Sequence, residues 1–566
     1  MLLVLGYWCF LFLSTSLIGL TFQKVLHLKG LHPAITIALG CFGITLFASF
    51  FAFFYALDGY FDLLLGFLLL AASVTNRTKF SPYLQYCSTL LLKFPLFLKI
   101  LFLITVVFAA AKSAGVPFII DNESYYLQTI KWLDSYGIVK GIANIHPFLD
   151  QVSGWHIFES ALNLNSIFKG FNDANGFLLV IATSYAFSHL HQYKNGRLEF
   201  LFIGLFPIFN LLLFQFIDAP SPDLPVYILG YFVFSEFLKE MKSVSETNYN
   251  GFILISLLVI FSIYLKVSAL ALLIFPMYLL YINNRVPKNT LLKIGFIGFV
   301  SAFCFILKNY YTSGYPLYPL ALFEANVPWK LPKSIFEFIT EQTKYFGYGM
   351  TETIFLKSTL FQRIWHWLFL PGLHGLFNKA MVLLLFIAPF YIQKMSFKKS
   401  FLVLYFASVI QLILVLSASP QYRFYLLFFM LLCLLVLVRF VRKQWLHRAL
   451  LVSSIGAIAI TLFLPVSLQK ITTNQHLQNL VPFQKETILI PHPSTRYATA
   501  NFESVSEGNF TFFSAMNIDF FWATGDGPLP CVKKQQINYF KETHGRVPQF
   551  ISEKVSDGFY SKKIAE

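Results

Sequence analysis

Two acidic residues follow directly after an apolar stretch of the sequence. Asp121 and Glu123 lie in "FIIDNESYYLQTIKWLDSYGIVKG", just beyond residues 94–113, a run long enough to cross a membrane. Such a carboxylate could act as a general base, with its neighbour binding a metal or tuning its pKa. The pair could instead cap the helix that follows, because an acid accepts hydrogen bonds from the free N–H groups of a helix. Charge at an apolar boundary is costly unless it is used, which favours the catalytic interpretation.

Two basic residues could bind phosphate. Lys266 in "YLKVSA" and Arg423 in "PQYRF" are the basic residues of the short connectors that the topology below assigns to the exterior. Arg binds phosphate with a bidentate fork and Lys binds it as a point charge, so together they could hold the phosphate of a lipid-borne substrate. Alternatively, both side chains snorkel to lipid headgroups. Both interpretations stay open.

Other polar residues are weaker candidates for a site. Asp218 and Asp223 share the turn "FIDAPSPDLPVY", in which the Leu-Pro pair after Asp223 indicates a helix start that Asp223 would cap. Asp218 has no such explanation and could contact substrate. His146 and His156 have one acid between them, which is a poor metal signature and more typical of structural histidines.

A tyrosine-rich stretch could contact a sugar. In "KNYYTSGYPLYPLALF", which begins at Lys308, glycine and prolines impose a turn path on four tyrosines, including Tyr315. Their rings could stack on a sugar or form an ordinary aromatic belt at the membrane interface, and neither interpretation is preferred.

Apolar runs must position these residues. The 566-residue chain is 57% hydrophobic and only 12% charged, whereas a soluble protein carries about a quarter charged residues. The net charge of +16 comes from scattered short clusters, which argues against a nucleic-acid surface. We therefore predict an all-α polytopic membrane protein with about 14 transmembrane helices, from apolar windows at residues 1–22, 33–56, 59–75, 94–113, 174–193, 198–217, 224–238, 250–264, 267–283, 290–307, 379–393, 400–416, 424–441 and 448–466.

The distribution of Lys and Arg predicts which segments face outward. Basic residues concentrate in alternate connectors, so those connectors are predicted to be cytoplasmic. Two large loops, 114–173 and 309–378, and the tail 467–566 are then exterior. The run from 250 to 283 has basic connectors on both sides, so two short helices should turn near Lys266. The first loop is predicted to continue as an amphipathic helix and then as a second helix lying along the interface. Strand-like pieces in the tail predict a small exterior C-terminal α/β domain.

This arrangement resembles the GT-C superfamily of membrane glycosyltransferases, which includes protein O-mannosyltransferases and lipid A aminoarabinose transferases. In that superfamily an acid opens the first large exterior loop, commonly as Asp-Glu, with an aromatic residue four positions after the Asp. Asp121 and Tyr125 match these positions, whereas Asn122 replaces the second acid and Glu123 is displaced by one. An intramembrane Lys in a short helical hairpin and a basic residue opening a late span are similar to "YLKVSA" and "PQYRF".

Four stretches, "DNESYYLQTIKWL", "NYYTSGYPLYP", "SPQYRF" and "GPLPC", together look like an uncharacterised family of large bacterial membrane proteins predicted to be glycosyltransferases. The resemblance implies a GT-C-like catalytic core at residues 94–466. Residues 1–93 would add extra N-terminal transmembrane helices, and residues 467–566 would form an extracytoplasmic C-terminal domain.

The resemblance implies an inverting glycosyltransferase. It would move a sugar from a polyprenyl phosphate donor to an acceptor hydroxyl, on the extracytoplasmic side of the inner (cytoplasmic) membrane, in the synthesis of a cell-envelope glycan or glycoconjugate. Asp121 would be the base, and Glu123 would orient the acceptor or assist a divalent cation, Mg²⁺ or Mn²⁺, although no cofactor is certain. The expected substrate-binding residues are Lys266, Arg423, Asp218, Asp223, Tyr125, His146 and Tyr315.

The expected partners are the lipid donor, membrane lipids and an acceptor that is a glycan, a lipid or a protein, with no nucleic acid. One alternative is a transporter or flippase for a lipid-linked or anionic solute, with Lys266 and Arg423 as intramembrane counter-charges. Another is a glycan polymerase or ligase of the O-antigen type, which shares the lipid donor.

Overall fold

The fold is known from a computed structural model. It describes residues 1–165, 168, 170, 174–193, 197–242, 249–283, 286–472, 474–477 and 479–564. A few residues of the predicted loop 114–173 and of the predicted tail 467–566 therefore lie outside the described residues.

Helices make up most of the described chain. In chain order they are α1 (Leu2–Leu26), α2 (Pro33–Ala52), α3 (Gly59–Thr75), α4 (Arg77–Leu92), α5 (Leu96–Ser113), α6 (Leu127–Tyr136), α7 (Gly154–Ala161), α8 (Ala174–His191), α9 (Leu198–Gly204), α10 (Asn210–Leu213), α11 (Asp223–Glu240), α12 (Asn250–Leu265), α13 (Ile274–Ile282), α14 (Lys288–Ser313), α15 (Lys333–Tyr348), α16 (Glu352–Lys357), α17 (Leu360–Leu368), α18 (Gly372–Ile392), α19 (Lys398–Ser417), α20 (Leu426–Leu437), α21 (Gln444–Phe463) and α22 (Lys534–His544).

The chain is a multi-pass membrane protein. Within the described ranges, eight helical segments are long and apolar enough to cross a membrane, namely α1, α2, α5, Leu198–Phe216 (which includes α9 and α10), α14, α18, α19 and α21. Helices α3 and α4 would add a ninth span if they count as one, although they are bent by 89° at their junction. The predicted connector after α3 is therefore itself helical. The all-α membrane architecture is confirmed, and the count of about fourteen spans stays a prediction.

Small residues let the first two helices pack closely. A Cβ atom on Gly40 of α2 would lie 1.8 Å from the backbone oxygen of Thr15 in α1, and one on Gly19 would lie 2.0 Å from that of Thr36. Both distances are impossible for a side chain. Glycine at these two positions is what allows α1 and α2 to approach, as is common between membrane helices.

The helices that carry the site residues form one packed group. Helix α11 packs against α12, and α20 packs against α18 and α19. Helix α12 ends at Leu265, Lys266 has an extended backbone, and a 3-10 helix at Val267–Leu273 leads into α13. Because α12 and α13 contact each other, the chain turns back near Lys266 as the sequence predicts.

The first loop is helical and well buried. A π-helix at Asn122–Tyr126 leads into α6, which buries Leu127, Ile130 and Leu133 as predicted for an amphipathic helix. The second helix of this loop, α7, was expected along the membrane interface, but all eight of its residues are buried. Neighbouring segments therefore cover its polar face as well, which the amphipathic pattern does not reveal, and the position of α7 relative to the membrane stays a prediction.

Among its described residues the tail contains three antiparallel strand pairs, one α-helix and three short 3-10 helices. Strand β1 (Val466–Ser467) pairs with β2 (Asn479–Leu480), β3 (Phe502–Glu507) with β4 (Phe510–Ala515), and β5 (Arg546–Phe550) with β6 (Phe559–Lys563). Phe510, Phe512 and Phe559 share a hydrophobic cluster with Trp132 and Ile142 of the first loop. The tail therefore packs on the first loop, while its description as an exterior α/β domain stays a prediction.

Candidate active site

Four charged residues from four separate segments meet in the structure. Arg423 Nη1 lies 2.6 Å from Asp121 Oδ2 and 4.0 Å from Asp223 Oδ2. Lys266 Nζ contacts the other carboxylate oxygen of Asp223. We call Asp121, Asp223, Lys266 and Arg423 the charged cluster. The structure thus joins four residues that the sequence analysis names as candidate site residues, and Asp223 lies between the two cations.

Each acid of the charged cluster lies at the beginning of a helix. Asp121 immediately precedes the π-helix, and Asp223 is the first residue of α11. A proline two positions later suits the first helical turn because its missing N–H is not needed there. Asp223 starts its helix as the sequence predicts, but its carboxylate makes no capping hydrogen bond and binds Lys266 instead.

Each cation of the charged cluster lies where a helix is interrupted. Lys266 occupies the break after α12, and Arg423 lies in a short 3-10 helix at Tyr422–Phe424, between Pro420 and α20. At both interruptions the backbone leaves the regular helix. The side chains of Lys266 and Arg423 then both point toward Asp223.

Burial differs across the charged cluster. The Asp223 side chain is only 3% exposed, whereas those of Arg423 and Asp121 are 28% and 22% exposed. The ring of Phe424 lies 4.6 Å from Lys266 Nζ and 5.1 Å from the guanidinium carbon of Arg423. Asp223 is therefore placed to fix the two cations, while Asp121 and Arg423 remain open to a ligand.

Two tyrosines connect the charged cluster to its surroundings. Tyr126 donates a long hydrogen bond of 3.4 Å from its hydroxyl to Asp121 Oδ2. Tyr227 donates one of 2.6 Å to the backbone oxygen of Arg423, which fixes the 3-10 helix. Tyr125, the predicted aromatic partner of Asp121, packs edge-on against Tyr126 with ring centroids 4.7 Å apart, so it supports the neighbour that touches Asp121.

A second ion pair lies close to the first loop. Asp218 is fully buried, and its Oδ2 lies 2.5 Å from Lys112 Nζ in the last turn of α5. Asp218, a predicted substrate contact, is thus neutralised by a residue that the sequence analysis did not select. Lys112 stands at the end of an apolar run, where basic residues commonly snorkel, so only its position nine residues before Asp121 could have indicated a role.

A mainly apolar cavity includes in its lining Tyr422, the residue before Arg423, although none of the four residues of the charged cluster lines it. It has a volume of about 180 Å³ and lies between α5, α10, α18, α21 and the β1–β2 hairpin. Tyr422, the neighbour of Arg423, lines it together with Lys112, Gln215 and His374, and the other lining residues are mostly Leu, Val and Phe. An apolar chain with a polar head suits such a cavity.

Glu123 does not join the charged cluster. Its carboxylate is buried and accepts hydrogen bonds from Asn122 Nδ2, Thr495 Oγ1 and the backbone N–H of Arg496. Burial raises the pKa of Glu123, and these donors oppose the rise. Glu123 therefore links the first loop, to which it belongs, to the tail.

Two other predicted substrate contacts are buried away from the charged cluster. Tyr315 is fully buried, donates to the backbone oxygen of Leu331 at 3.2 Å and stacks on Phe336, so neither face of its ring is open to a sugar. His146 is also fully buried and packs against Phe148 and Trp522. Burial lowers the pKa of His146 to about 4, which keeps it neutral. His156 accepts a hydrogen bond within the capping box of α7, as expected for a structural histidine.

The residues around Asp121 do not suit the predicted divalent cation. Mg²⁺ and Mn²⁺ prefer several unpaired oxygen ligands. Here Asp121 and Asp223 are neutralised by Arg423 and Lys266, and Glu123 is occupied by three donors. Across the described part of the chain, no group of three or more His, Cys, Asp or Glu side chains could hold a metal ion.

Asp223→Asn should destabilise the protein, because it leaves Lys266 and Arg423 close together without their shared buried carboxylate. We expect a loss of about 3 kcal/mol, typical of breaking a buried pair, measured as a lower Tm in lipid nanodiscs. Adding Lys266→Met to the same chain should restore much of the Tm. Glu507→Gln, which breaks a more exposed pair with Lys541, is the matched control and should change the Tm little. A wild-type Tm for Asp223→Asn would contradict the assignment.

Comparison with models of protein families gives a match over residues 1–430. The matched family is described as Domain of unknown function (DUF8201). The match contains all four residues of the charged cluster and ends before the tail. No curated protein and no solved structure matches the chain.

Proposed function

We propose that this chain, which belongs to the DUF8201 family, is a membrane glycosyltransferase that takes a sugar from a polyprenyl phosphate donor. One observation carries the proposal, namely the contact of Asp121 with Arg423 and the link from Arg423 through Asp223 to Lys266. A candidate base thereby adjoins two candidate phosphate ligands. Separate helix caps and snorkelling side chains would have no reason to meet.

The two cations suit a phosphate that leaves during the reaction. Arg423 and Lys266 converge on one carboxylate, so their charges are close enough for both to reach the oxygens of one phosphate group. In the structure Arg423 is bound to Asp121. A donor phosphate, a singly charged phosphodiester, would compete with Asp121 for Arg423 because it can also bind Lys266, and its binding would release Asp121. The same event would then assemble the donor site and free the base.

The released Asp121 would take the proton of the acceptor hydroxyl. The acceptor oxygen would attack the anomeric carbon as the bond from that carbon to the phosphate oxygen breaks, inverting the configuration. The leaving polyprenyl phosphate would carry the electron pair of the broken bond, and Arg423 and Lys266 would stabilise its charge. The proton would pass from Asp121 to water, which restores the enzyme.

The cavity beside Tyr422 supports a lipid donor. Its mostly apolar lining, about 180 Å³ in volume, begins next to the residue that precedes Arg423. We propose that the first isoprene units of the donor lie there, with the phosphate directed past Tyr422 toward Arg423. A soluble nucleotide sugar would have no use for this lining.

The proposal also includes the number of membrane spans and the side of the membrane on which the site lies. We propose about fourteen spans of GT-C type in the inner membrane, with the charged cluster, both large loops and the C-terminal α/β domain on the extracytoplasmic side. Nucleotide sugars are absent from that side, which is why the donor would be carried by a lipid. The acceptor would be a cell-envelope glycan, lipid or protein.

Reconstitution in sealed vesicles separates the transferase from a transporter or flippase. The purified protein would be given a panel of radiolabelled polyprenyl phosphate sugars, with release of unglycosylated polyprenyl phosphate and movement of label across the bilayer measured together. We expect release without net movement. Movement of an intact donor or solute with no release would establish the transporter instead.

A further inference from the structure

The tail binds the backbone on both sides of Asp121. From these contacts we infer that Thr495 and Arg496, together with the turn at residues 524–525, position Asp121 for catalysis by holding Glu123 and the residues before Asp121. We call residues 494–496 and 524–525 the C-terminal clamp. This inference rests on the proposed function of Asp121 as the base.

One half of the C-terminal clamp holds the residues before Asp121. The Arg496 guanidinium donates to the backbone oxygens of Pro117 and Phe118, and also to that of His476 at 2.8 Å. Phe118 is three residues from Asp121. Because a guanidinium presents its donors in a rigid fork, these bonds fix the direction in which the chain enters the π-helix.

The other half holds the residues after Asp121. Asn122 Nδ2 donates to the backbone oxygen of Ser494 at 2.8 Å. The carboxylate of Glu123 accepts from Thr495 Oγ1 and from the N–H of Arg496. The backbone oxygen of Glu123 accepts from the N–H groups of residues 524 and 525 at 2.8 and 2.9 Å. Every residue from Asn122 to Ser124 bonds to the tail, since Ser124 accepts from the Thr524 hydroxyl at 2.6 Å.

Asp121 lies between these two held segments, yet its own side-chain contacts are with Arg423 and Tyr126. The backbone is thus fixed on either side while the carboxylate can exchange partners. The local π-helix strengthens the argument, because such helices are rare and frequent at functional sites. A base that must release one cation and meet an acceptor needs this combination of a fixed backbone and an open carboxylate.

The C-terminal clamp lies outside the part of the chain that matches the DUF8201 family. The match ends at residue 430, whereas the clamp begins at residue 494. The charged cluster is therefore supplied by the matched part, and the position of its base is set by a segment beyond that part. This arrangement gives the tail a role in the reaction besides covering the first loop.

Thr495→Val tests the clamp because it removes one hydroxyl and keeps the shape of the side chain. Displacing the backbone near Asp121 should lower kcat for sugar transfer by about tenfold to a hundredfold. The KM for the donor should stay within about twofold, because the donor phosphate binds Arg423 and Lys266 on other elements. Thr495→Ser retains the hydroxyl and should keep most of the wild-type kcat.

Thr511→Val is the matched control. Thr511 is an exposed residue of β4 whose hydroxyl pairs with Ser506 inside its own hairpin, so its loss should leave kcat unchanged. Equal losses of kcat in Thr495→Ser and Thr495→Val, or a fall in kcat only in step with the amount of folded protein, would overturn the positioning role. Wild-type kcat in Thr495→Val would overturn it as well.

Hydrogen exchange separates failure of the clamp from failure of the proposed function, because it needs no substrate. In Thr495→Val, the amides of residues 118–131 should exchange faster than in the wild type and in Thr511→Val. If the wild type transfers no sugar, the proposed function fails, and the exchange rates alone decide whether the clamp holds this segment. Unchanged exchange in Thr495→Val would overturn the clamp whatever the activity.

Discussion

Asp121→Asn should reduce kcat for sugar transfer by about 10³-fold, within the range that general-base catalysis contributes. The amide cannot take the proton of an acceptor hydroxyl, although its oxygen can still accept the hydrogen bond from Arg423. The fold should therefore persist, and the donor should bind at least as tightly as in the wild type, because a neutral amide competes less strongly for Arg423. Single-turnover release of polyprenyl phosphate from a radiolabelled donor measures the effect directly.

Asp58→Asn is the matched control for this substitution. Asp58 accepts a hydrogen bond from the N–H of Tyr60 as the N-cap of α3, and Asn caps a helix equally well. Its transfer rate should equal that of the wild type. Transfer by Asp121→Asn at the wild-type rate would show that Asp121 is not the base.

Arg423→Gln should lower kcat by about 10²–10³-fold, as expected when a donor to a developing anion is lost. It should also weaken binding of free polyprenyl phosphate, because a charge that contacts the phosphate is removed. Arg423→Lys should lie between the wild type and Arg423→Gln, since a lysine keeps the charge without the planar fork of donors that a guanidinium offers to a phosphate.

The weaker binding by Arg423→Gln is measured by titrating the purified protein in nanodiscs with polyprenyl phosphate. Arg442→Gln serves as the control because Arg442 is an exposed arginine beyond the other end of α20. It should leave both kcat and the Kd for polyprenyl phosphate unchanged. Equal losses in Arg423→Gln and Arg442→Gln would indicate general attraction of an anionic lipid rather than a phosphate site.

Part of the charged cluster was predictable from the sequence. Lys266 and Arg423 stand out because a charge within an apolar region is costly, and Asp121 stands out because it follows a long apolar run. These predictions need only the local sequence and the high cost of placing a charge in the apolar part of a membrane. They identify residues that need a partner, but they do not say which residues those partners are.

The partners depend on contacts between distant segments. Asp223 lies 43 positions from Lys266 in the chain, and its local sequence indicates only a helix start. Glu123 meets Thr495 across 372 positions, so no local pattern could assign it to the tail instead of the charged cluster. Because Glu123 lies only two positions from Asp121, a shared catalytic role was the simplest interpretation. The tail, however, binds the carboxylate of Glu123 and not that of Asp121.

Burial by other segments also escapes local sequence reasoning. Tyr315 lies among turn-forming residues, which are typical of exposed loops, yet α15 covers its ring through Phe336. The fully buried α7 is similar, since its amphipathic pattern predicts one covered face. For the eight described segments that are long and apolar enough to cross a membrane, the apolar windows were sufficient, because the bilayer requires long apolar helices whatever their neighbours are.

The most direct test of the account is the structure of the purified protein in nanodiscs with polyprenyl phosphate bound. We predict that the phosphate oxygens lie about 2.7–3.0 Å from the side-chain nitrogens of Arg423 and Lys266. The isoprenoid chain should enter the cavity beside Tyr422, and the Asp121 carboxylate should have left Arg423. A phosphate bound elsewhere, with the contact between Asp121 and Arg423 unchanged, would contradict the assignment of the charged cluster as the active site.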